Sequence, residues 1–484
     1  MLKSDLKQLG KETAIYGIST ILSRFLNFLL VPFFTNIFTQ AEYGIITNVY
    51  AYIAFLNIIY LYGMDSAYLK FAASRESGSE KETFSTAFNS VFITSLLLSI
   101  VLIILNEPLS YLFGISKEQK EIVLFVSGIL FFDSISNVIF ARLRFHNKAL
   151  KFAGLKTLNI IFNVSMNVYL IYFLKFRAEG VFIANFSASL LTFIFLFPDL
   201  LKVYSLSINK NLLNDLLKFG LPFVPAGIAA IITQVIDRPI MLALTDASTV
   251  GIYQANYKLG IFMMLYVSMF QYAWQPFYLK KSTQENAKEL FAKVFTFFTL
   301  FGSLIFLVLS IFIDDIIKIK IFGFYLIGKD FWSGLHIVPV VLMGYLFNGF
   351  YFNFVAGLQI EKKTKYMPLV SSLGAVVNIV ANFLLIPLMG MLGAAYATLL
   401  AYFSMAVYQY FLSQKFYKID YEWDKVLKLG IILFFVFGGY LIFKNILSDY
   451  LLILKSTTLI AYILLLKIFR LIELNWFKEF RFSK

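Results

Sequence analysis

Apolar residues occur along this chain in long runs, and the short segments between the runs hold most of the charged residues. A helix of about twenty apolar residues crosses the hydrocarbon core of a bilayer, so each run predicts one membrane span. The predicted spans lie near residues 13–35, 43–67, 84–105, 119–140, 153–174, 179–198, 217–241, 250–279, 291–313, 334–358, 366–388, 390–412, 426–443 and 449–468. The pattern therefore predicts an all-α integral membrane protein with fourteen transmembrane helices.

The amino-acid composition supports this class of protein and excludes several kinds of functional site. Of 484 residues, 60% are hydrophobic and only 14% are charged, which is more apolar surface than one soluble core could hide. The chain has no Cys, and its two His residues, His146 and His336, are far apart in sequence. We therefore expect no disulfide, no metal centre and no cofactor. No phosphate-binding loop and no Ser–His–Asp set occurs, so we expect a protein that is neither an ATP-driven pump nor an enzyme.

The net charge of +14 is explained by topology. Lys and Arg concentrate in alternate loops, and such loops face the cytoplasm. The bias predicts that both termini are cytoplasmic. Anionic lipid head groups would attract these basic loops and so support the predicted orientation, whereas nucleic acid is not an expected partner. The first span is too long for a signal peptide and is expected to be retained.

Two parts of the sequence repeat. Segment 31–50 aligns without gaps on segment 238–257 at an offset of 207 residues, so that Gly44 meets Gly251. Further along, Asn163 and Asn167 meet Asn378 and Asn382. The repeat predicts two pseudo-symmetric six-helix lobes, in residues 1–200 and 201–414, with two further helices and a cytoplasmic tail in 415–484. Because each copy has an even number of spans, the lobes are expected to be parallel, with a cavity between them.

Polar side chains interrupt the first span on one helix face, where Arg24 and Asn27 lie about a turn apart. An Arg near the bilayer centre costs about 2.5–3.5 kcal/mol on insertion scales and is tolerated where it meets water, a partner or a ligand. One interpretation is that Arg24 lines the cavity and binds substrate. The alternative is that it pairs with a carboxylate to hold helices together.

The seventh and eighth spans carry a second polar set. Gln234, Asp237 and Arg238 form a strip just before Pro239, which lacks a backbone donor and is expected to disturb the helix. Gln254 and Lys258 follow on the eighth span. Arg238 and Lys258 would suit an anionic substrate, because cationic groups bind phosphate oxygens and Arg does so with a planar fork. Both could instead reach the outer interface, and the amides could serve as contacts between helices.

Two further carboxylates lie toward the cytoplasmic ends of their spans. Asp65 and Asp133, together with Asp237, are candidates for ion coupling or for pairing with a basic residue. Contact with interfacial water is the alternative, above all for Asp65.

Segments Ser23–Tyr50, Leu221–Met241, Val250–Gly260 and Gln271–Phe277 resemble the polysaccharide-transporter branch of the multidrug/oligosaccharidyl-lipid/polysaccharide exporter superfamily. The resemblance implies a flippase that moves a polyprenyl-diphosphate-linked oligosaccharide from the cytoplasmic to the outer leaflet of the bacterial inner membrane by alternating access, for cell-surface polysaccharides such as O-antigen. It also implies that Arg24, Arg238 and Lys258 engage the diphosphate or acidic sugars, and it allows coupling to H⁺ or Na⁺. We expect a monomer whose partners are the lipid-linked oligosaccharide and membrane lipid.

Two other functions are compatible with parts of the pattern. A multidrug or organic-cation antiporter would share the architecture, but it would be expected to present acidic residues to its cationic substrates, and Arg24 argues against it. A membrane-embedded glycan polymerase or ligase is disfavoured because the longest outer loop, near 314–331, is short.

Overall fold

The protein is described by a computed structural model that covers residues 28–74, 79–116 and 119–471. Within these residues the chain is almost entirely helical. The helices are α1 (Leu30–Ile37), α2 (Gln40–Leu61), α3 (Met64–Ser74), α4 (Glu80–Ile104), α5 (Asn106–Phe113), α6 (Glu121–Phe145), α7 (Ala149–Val168), α8 (Ala178–Leu201), α9 (Lys210–Gly220), α10 (Phe223–Val235), α11 (Asp237–Leu244), α12 (Ala247–Tyr257), α13 (Ile261–Lys281), α14 (Ala287–Ile316), α15 (Val338–Ile360), α16 (Met367–Met389), α17 (Met391–Phe416), α18 (Trp423–Phe443) and α19 (Leu451–Ile468). One two-stranded sheet pairs β1 (Lys320–Ile321) with β2 (Phe324–Tyr325).

Eleven helical segments of the described residues are long and apolar enough to cross a membrane. The chain is therefore a multi-pass membrane protein. Helices also lie over the predicted spans near 153–174 and 250–279, which are outside those eleven, whereas most of the span near 13–35 lies outside the described residues. The number fourteen stays a prediction.

Two predicted spans are divided in the structure. The seventh is interrupted at Ile236, between α10 and α11, and Pro239 lies three residues later in the first turn of α11. The eighth is interrupted by a 3₁₀ turn at Lys258–Gly260, between α12 and α13. The disturbance expected just before Pro239 is confirmed. The division of the eighth span was not predicted, because hydropathy does not register a local change of backbone hydrogen bonding.

The contacts divide the chain into two compact units. One contains the chain up to Lys258, together with Ile321–Gly334 and Ser371–Thr398, and the other contains Leu259–Lys320, Leu335–Val370 and the chain from Leu399 onwards. These bounds differ from those of the lobes expected at residues 200 and 414, and the two-lobe arrangement stays a prediction.

In the first unit, α2 and α12 cross with their backbones in contact. A Cβ atom on Gly44 would stand 1.8 Å from the carbonyl oxygen of Ala247, and one on Gly251 would stand 1.9 Å from that of Gln40. The two contacts are reciprocal, since Gln40 and Ala247 differ by the same 207 residues as the two glycines. Only glycine allows this approach, and small residues at helix crossings are what membrane proteins use to bring backbones together.

Other local structure follows the same offset. Thr39 is the N-cap of α2 and its hydroxyl accepts from the backbone N–H of Glu42, while Asp246 is the N-cap of α12 and accepts from that of Thr249. The asparagine pairs of the second alignment are also alike. The Asn167 amide donates to the Asn163 side chain at 2.9 Å, and Asn382 donates to Asn378 at 3.0 Å. The aligned segments therefore adopt the same local structure.

Ion pairs close the predicted cytoplasmic ends of the helices in the first unit. Arg142 and His146 both contact Glu80, at 3.1 and 2.6 Å. Beneath these pairs, a core of aromatic and aliphatic side chains from α3, α4, α6, α8 and α9 is fully buried, and it includes Tyr68 and Phe84. Several basic residues of the loops predicted to be cytoplasmic thus have carboxylate partners.

In the second unit, α18 and α19 are joined to α14 by ion pairs. Lys444 contacts Asp314 at 2.7 Å, and the Lys455 ammonium contacts Asp315. The two partners of the second pair differ in exposure, because the Lys455 side chain is 2% exposed and that of Asp315 is 53% exposed. An aromatic cluster that includes Phe295, Phe354 and Trp423 forms part of this unit's core.

We expect Gly44→Ala to destabilise the protein by roughly 1–3 kcal/mol or more, because the added methyl group overlaps the Ala247 carbonyl and the two backbones must separate. The measurement is the thermal transition of the detergent-purified protein, followed by the loss of the monodisperse peak. Gly430→Ala in α18 is the matched control, because a Cβ there meets no atom within 4 Å. Equal transitions for the two variants would contradict the close crossing.

We expect Asp315→Asn to lower the transition more than Lys455→Met does. The first change leaves an ammonium buried without its partner, a loss that reaches about 3–5 kcal/mol for buried pairs, whereas the second leaves a half-exposed carboxylate that water can solvate. The double variant should resemble Lys455→Met. An Asp315→Asn protein as stable as Lys455→Met would show that the pair does not hold α19 in this way.

Candidate functional site

The break between α10 and α11 places Asp237 and Arg238 at the start of a helix. Asp237 is 3% exposed and accepts a hydrogen bond of 2.6 Å from the Tyr253 hydroxyl of α12. It also accepts one of 3.0 Å from the backbone N–H of Arg238. The Tyr253 hydroxyl in turn lies beside Thr398. A buried carboxylate needs such donors, and these contacts fix Asp237 in place.

The Arg238 guanidinium is only weakly engaged by its neighbour. Its Nε stands 3.9 Å from the Asp237 carboxylate, beyond hydrogen-bond distance, and has no hydrogen-bond partner although the atom is buried. One of its terminal nitrogens approaches the backbone carbonyl of Gln234 at 3.5 Å. The side chain is 12% exposed. An Arg with an unsatisfied buried nitrogen has donor capacity left for a ligand.

Lys258 adds a second positive charge to this group. It occupies the first position of the 3₁₀ turn after α12, its side chain is exposed, and it repels Arg238 electrostatically. Tyr43 of α2 also lies within the electrostatic range of Arg238. We call Asp237, Arg238 and Lys258 the cationic cluster. With one acid against two bases it carries a net positive charge.

The two amides predicted for this site lie in different surroundings. Gln234 is exposed, and its side chain donates to the Ala230 carbonyl of its own helix at 3.3 Å. Gln254 is 1% exposed, and its side-chain oxygen has no hydrogen-bond partner. Arg24 and Asn27 lie outside the described residues.

The other two predicted carboxylates are elsewhere in the first unit. Asp65 forms an ion pair with Arg144 at 3.2 Å, at the start of α3. Asp133 of α6 lines a cavity of about 340 Å³ together with Lys156 of α7. The cavity is otherwise lined by Asn57, Ser136, Asn137, Phe140, Asn159, Asn185, Ser189 and Thr192. We call this the polar cavity.

Sequence reasoning did not single out Lys156 or Tyr253. Lys156 lies near the start of the predicted span 153–174, where a charge is common, so its position gave no signal beyond that of a loop residue. Tyr253 is one of 29 Tyr residues, and nothing in its neighbours marks it as the donor to Asp237. The count of basic residues placed Lys156 within a span or at its edge, but only the fold brings it to a cavity with Asp133 and pairs Tyr253 with Asp237.

The chain can be compared with known proteins. An uncharacterized membrane protein of Methanocaldococcus jannaschii is 21% identical, over 87% of this chain and 88% of its own length. The solved structure of the lipid II flippase MurJ in an inward closed conformation superposes with a TM-score of 0.75 at 18% identity, covering 94% of this chain and 98% of the other. An inward-facing multidrug resistance MATE family transporter of the MOP superfamily gives 0.59 at 16% identity, with coverages of 82% and 97%. These structural likenesses concern the fold.

The sequence model of the family described as "Polysaccharide biosynthesis protein" matches residues 9–281, more than half of the chain. The match contains both glycines of the helix crossing and the whole cationic cluster. The resemblance found in the sequence is confirmed at this level, and the chain belongs to the polysaccharide biosynthesis protein family.

Proposed function

We propose that the protein is a flippase that moves a polyprenyl-diphosphate-linked oligosaccharide from the cytoplasmic to the outer leaflet of the bacterial inner membrane by alternating access, for cell-surface polysaccharide biosynthesis. The observation that carries the proposal is the cationic cluster, in which Arg238 lies beside Asp237 and within electrostatic range of a second basic side chain, Lys258. The family supports the polysaccharide pathway, and the fold likeness to a lipid II flippase supports the movement of a lipid-linked substrate.

The cluster has the chemistry that a diphosphate requires. Asp237 already accepts hydrogen bonds from Tyr253 and from the backbone. It therefore balances part of the positive charge without using the hydrogen-bond donors of the Arg238 guanidinium. Arg238 can then present its fork to two phosphate oxygens, and Lys258 can supply a second, mobile charge. Asp237 acts as a positioning residue for Arg238.

Energy considerations favour a ligand at this place. A basic side chain inside the membrane costs about 2.5–3.5 kcal/mol on insertion scales, and like charges close together raise that cost. A bound diphosphate offsets it by satisfying the free Nε of Arg238 and neutralising Lys258. An organic cation would be repelled by the same two residues, which disfavours the antiporter.

The remaining predicted residues have roles in the same proposal. Arg24 and Asn27 of the first span would add a basic and an amide contact to the substrate, and Gln234 and Gln254 would bind its polar atoms. We propose that both termini are cytoplasmic, that the protein acts as a monomer and that it transports its substrate without changing it chemically. Coupling to H⁺ or Na⁺ through Asp237, Asp133 or Asp65 is part of the same proposal.

In inverted vesicles that contain the native lipid-linked oligosaccharide, we expect Arg238→Gln and Lys258→Gln to reduce protein-dependent translocation by about ten- to a hundredfold each. The reason is that each loses a charge-assisted contact of about 1.5–3 kcal/mol to the diphosphate. Arg238→Lys should recover part of the loss, because it restores the charge without the fork. Arg24→Ala should also reduce translocation. The readout is the fraction of glycan that becomes accessible to a glycosidase on the far side.

Lys210→Gln is the control, because this exposed residue at the start of α9 lies outside the cluster. Variants are compared at matched amounts of monodisperse protein. Translocation that persists in vesicles without the protein, or that is unaffected by all three cationic substitutions, would overturn the proposal. Export of organic cations without glycan movement would favour the antiporter, and a change in glycan length would favour a polymerase or ligase.

A further inference from the structure

The polar cavity lies inside the first unit and is formed by α2, α6, α7 and α8. Its volume of about 340 Å³ falls within the range of small-molecule sites. At roughly 30 Å³ for each water, it has room for about eleven waters. That is room for one hexose ring with its hydroxyl groups and for a few waters beside it.

The lining is unusual for a space within a membrane domain. Nine of the ten lining residues are polar, and four of them are asparagines. A carboxamide offers both donors and acceptors, and so does a hydroxyl. Some of this capacity is used within the protein, since Asn159 donates to Thr192 at 2.8 Å and Asn185 donates to Tyr50 at 3.2 Å. The cavity still presents donors and acceptors together.

One lining group is left without a partner. Ser136 is 4% exposed, and its hydroxyl has no hydrogen-bond partner. Ser134 lies two residues earlier in α6 and its hydroxyl donates to the Leu130 carbonyl at 2.7 Å, as serines in helices commonly do. Leaving a buried hydroxyl unsatisfied costs about 1–3 kcal/mol, so Ser136 points to a polar occupant.

The charges of the cavity restrict that occupant. Asp133 and Lys156 attract each other electrostatically, yet they form no ion pair within 4.0 Å. The Asp133 carboxylate lies beside the Ser189 hydroxyl, and the Lys156 ammonium lies 4.4 Å from the centroid of the Phe140 ring. An acid and a base held apart in this way leave room between them for a molecule that hydrogen-bonds to both.

An ionic ligand fits this charge pair poorly. Lys156 would repel a metal cation, and Asp133 would repel a phosphate or a carboxylate. A neutral molecule with many hydroxyl groups avoids both repulsions, because each hydroxyl can donate to Asp133 or accept from Lys156. Its apolar ring face can pack on Phe140, the one aromatic side chain of the lining.

We propose that the polar cavity binds one neutral sugar residue of the glycan, an inference that rests on the proposed function for the identity of that glycan. The cavity would then recognise the sugar, separately from the cationic cluster that binds the diphosphate. Ser136, Asn137 and Lys156 are the residues that we expect to determine which sugar is accepted.

The test uses the full-length protein in nanodiscs and saturation-transfer NMR with neutral hexoses, 6-deoxyhexoses and N-acetylhexosamines, and with inorganic phosphate and choline as charged probes. We expect at least one neutral sugar to bind, with a Kd of about millimolar order for so small a ligand. Ser136→Ala should weaken it about two- to tenfold, because one hydrogen bond is lost. Ser134→Ala is the matched control and should leave the Kd unchanged.

A second variant is needed in case sugar binding tolerates the loss of the single Ser136 hydroxyl. Asn137→Leu replaces a lining carboxamide by an apolar group of similar size and should abolish sugar binding, while the thermal transition still reports a folded protein. The same variant should reduce translocation of the lipid-linked oligosaccharide in the vesicle assay.

The outcomes separate this inference from the proposed function. If no neutral sugar binds while wild-type protein translocates the glycan lipid, the sugar site is overturned and the flippase stands. If a sugar binds and Ser136→Ala weakens it but no glycan lipid moves, the site stands and the flippase is overturned. Should the cavity variants change only the pH dependence of translocation, the cavity holds a transported proton instead, and the sugar site is again overturned.

Discussion

The contact between Gly44 and Gly251 is the constraint on which the described part of the first unit depends. In a bilayer there is no hydrophobic force to bring two apolar helices together, because lipid tails are as apolar as the side chains. Association therefore depends on close packing. α2 and α12 lie so close that a backbone carbonyl of each helix occupies the space that a Cβ atom would need on the glycine of the other. No other residue type fits at either position.

This crossing also positions the cationic cluster. Tyr253 follows Gly251 by two residues on α12, and its hydroxyl holds Asp237. Tyr43 precedes Gly44 on α2 and lies within electrostatic range of Arg238. The two helices that cross therefore carry the donor to Asp237 and a tyrosine close to Arg238. A substitution that separated the two helices would therefore move these side chains without replacing any residue of the cationic cluster.

The charged residues inside and at the ends of the helices fall into two classes. Glu80, Asp65 and Asp315 have basic partners at ion-pair distance, and these pairs join helices. Asp133 has no such partner, and the Nε of Arg238 stands 3.9 Å from the Asp237 carboxylate, beyond hydrogen-bond distance. A lipid-linked sugar presents an anionic diphosphate and a neutral glycan, and the cationic cluster and the polar cavity match these two parts separately.

The sequence alone determined the class, the positions of many membrane spans and the family, because hydropathy and short motifs are local properties of the chain. It also predicted the helix break before Pro239 and paired Gly44 with Gly251, without indicating that the two glycines touch. Only the tertiary structure decided that Asp237 accepts a hydrogen bond from Tyr253 and that Asp65 forms an ion pair with Arg144. It also decided that Asp133 shares a cavity with Lys156. These pairings join residues 16 to 79 positions apart, and such distances are set by how helices pack, which no local pattern encodes.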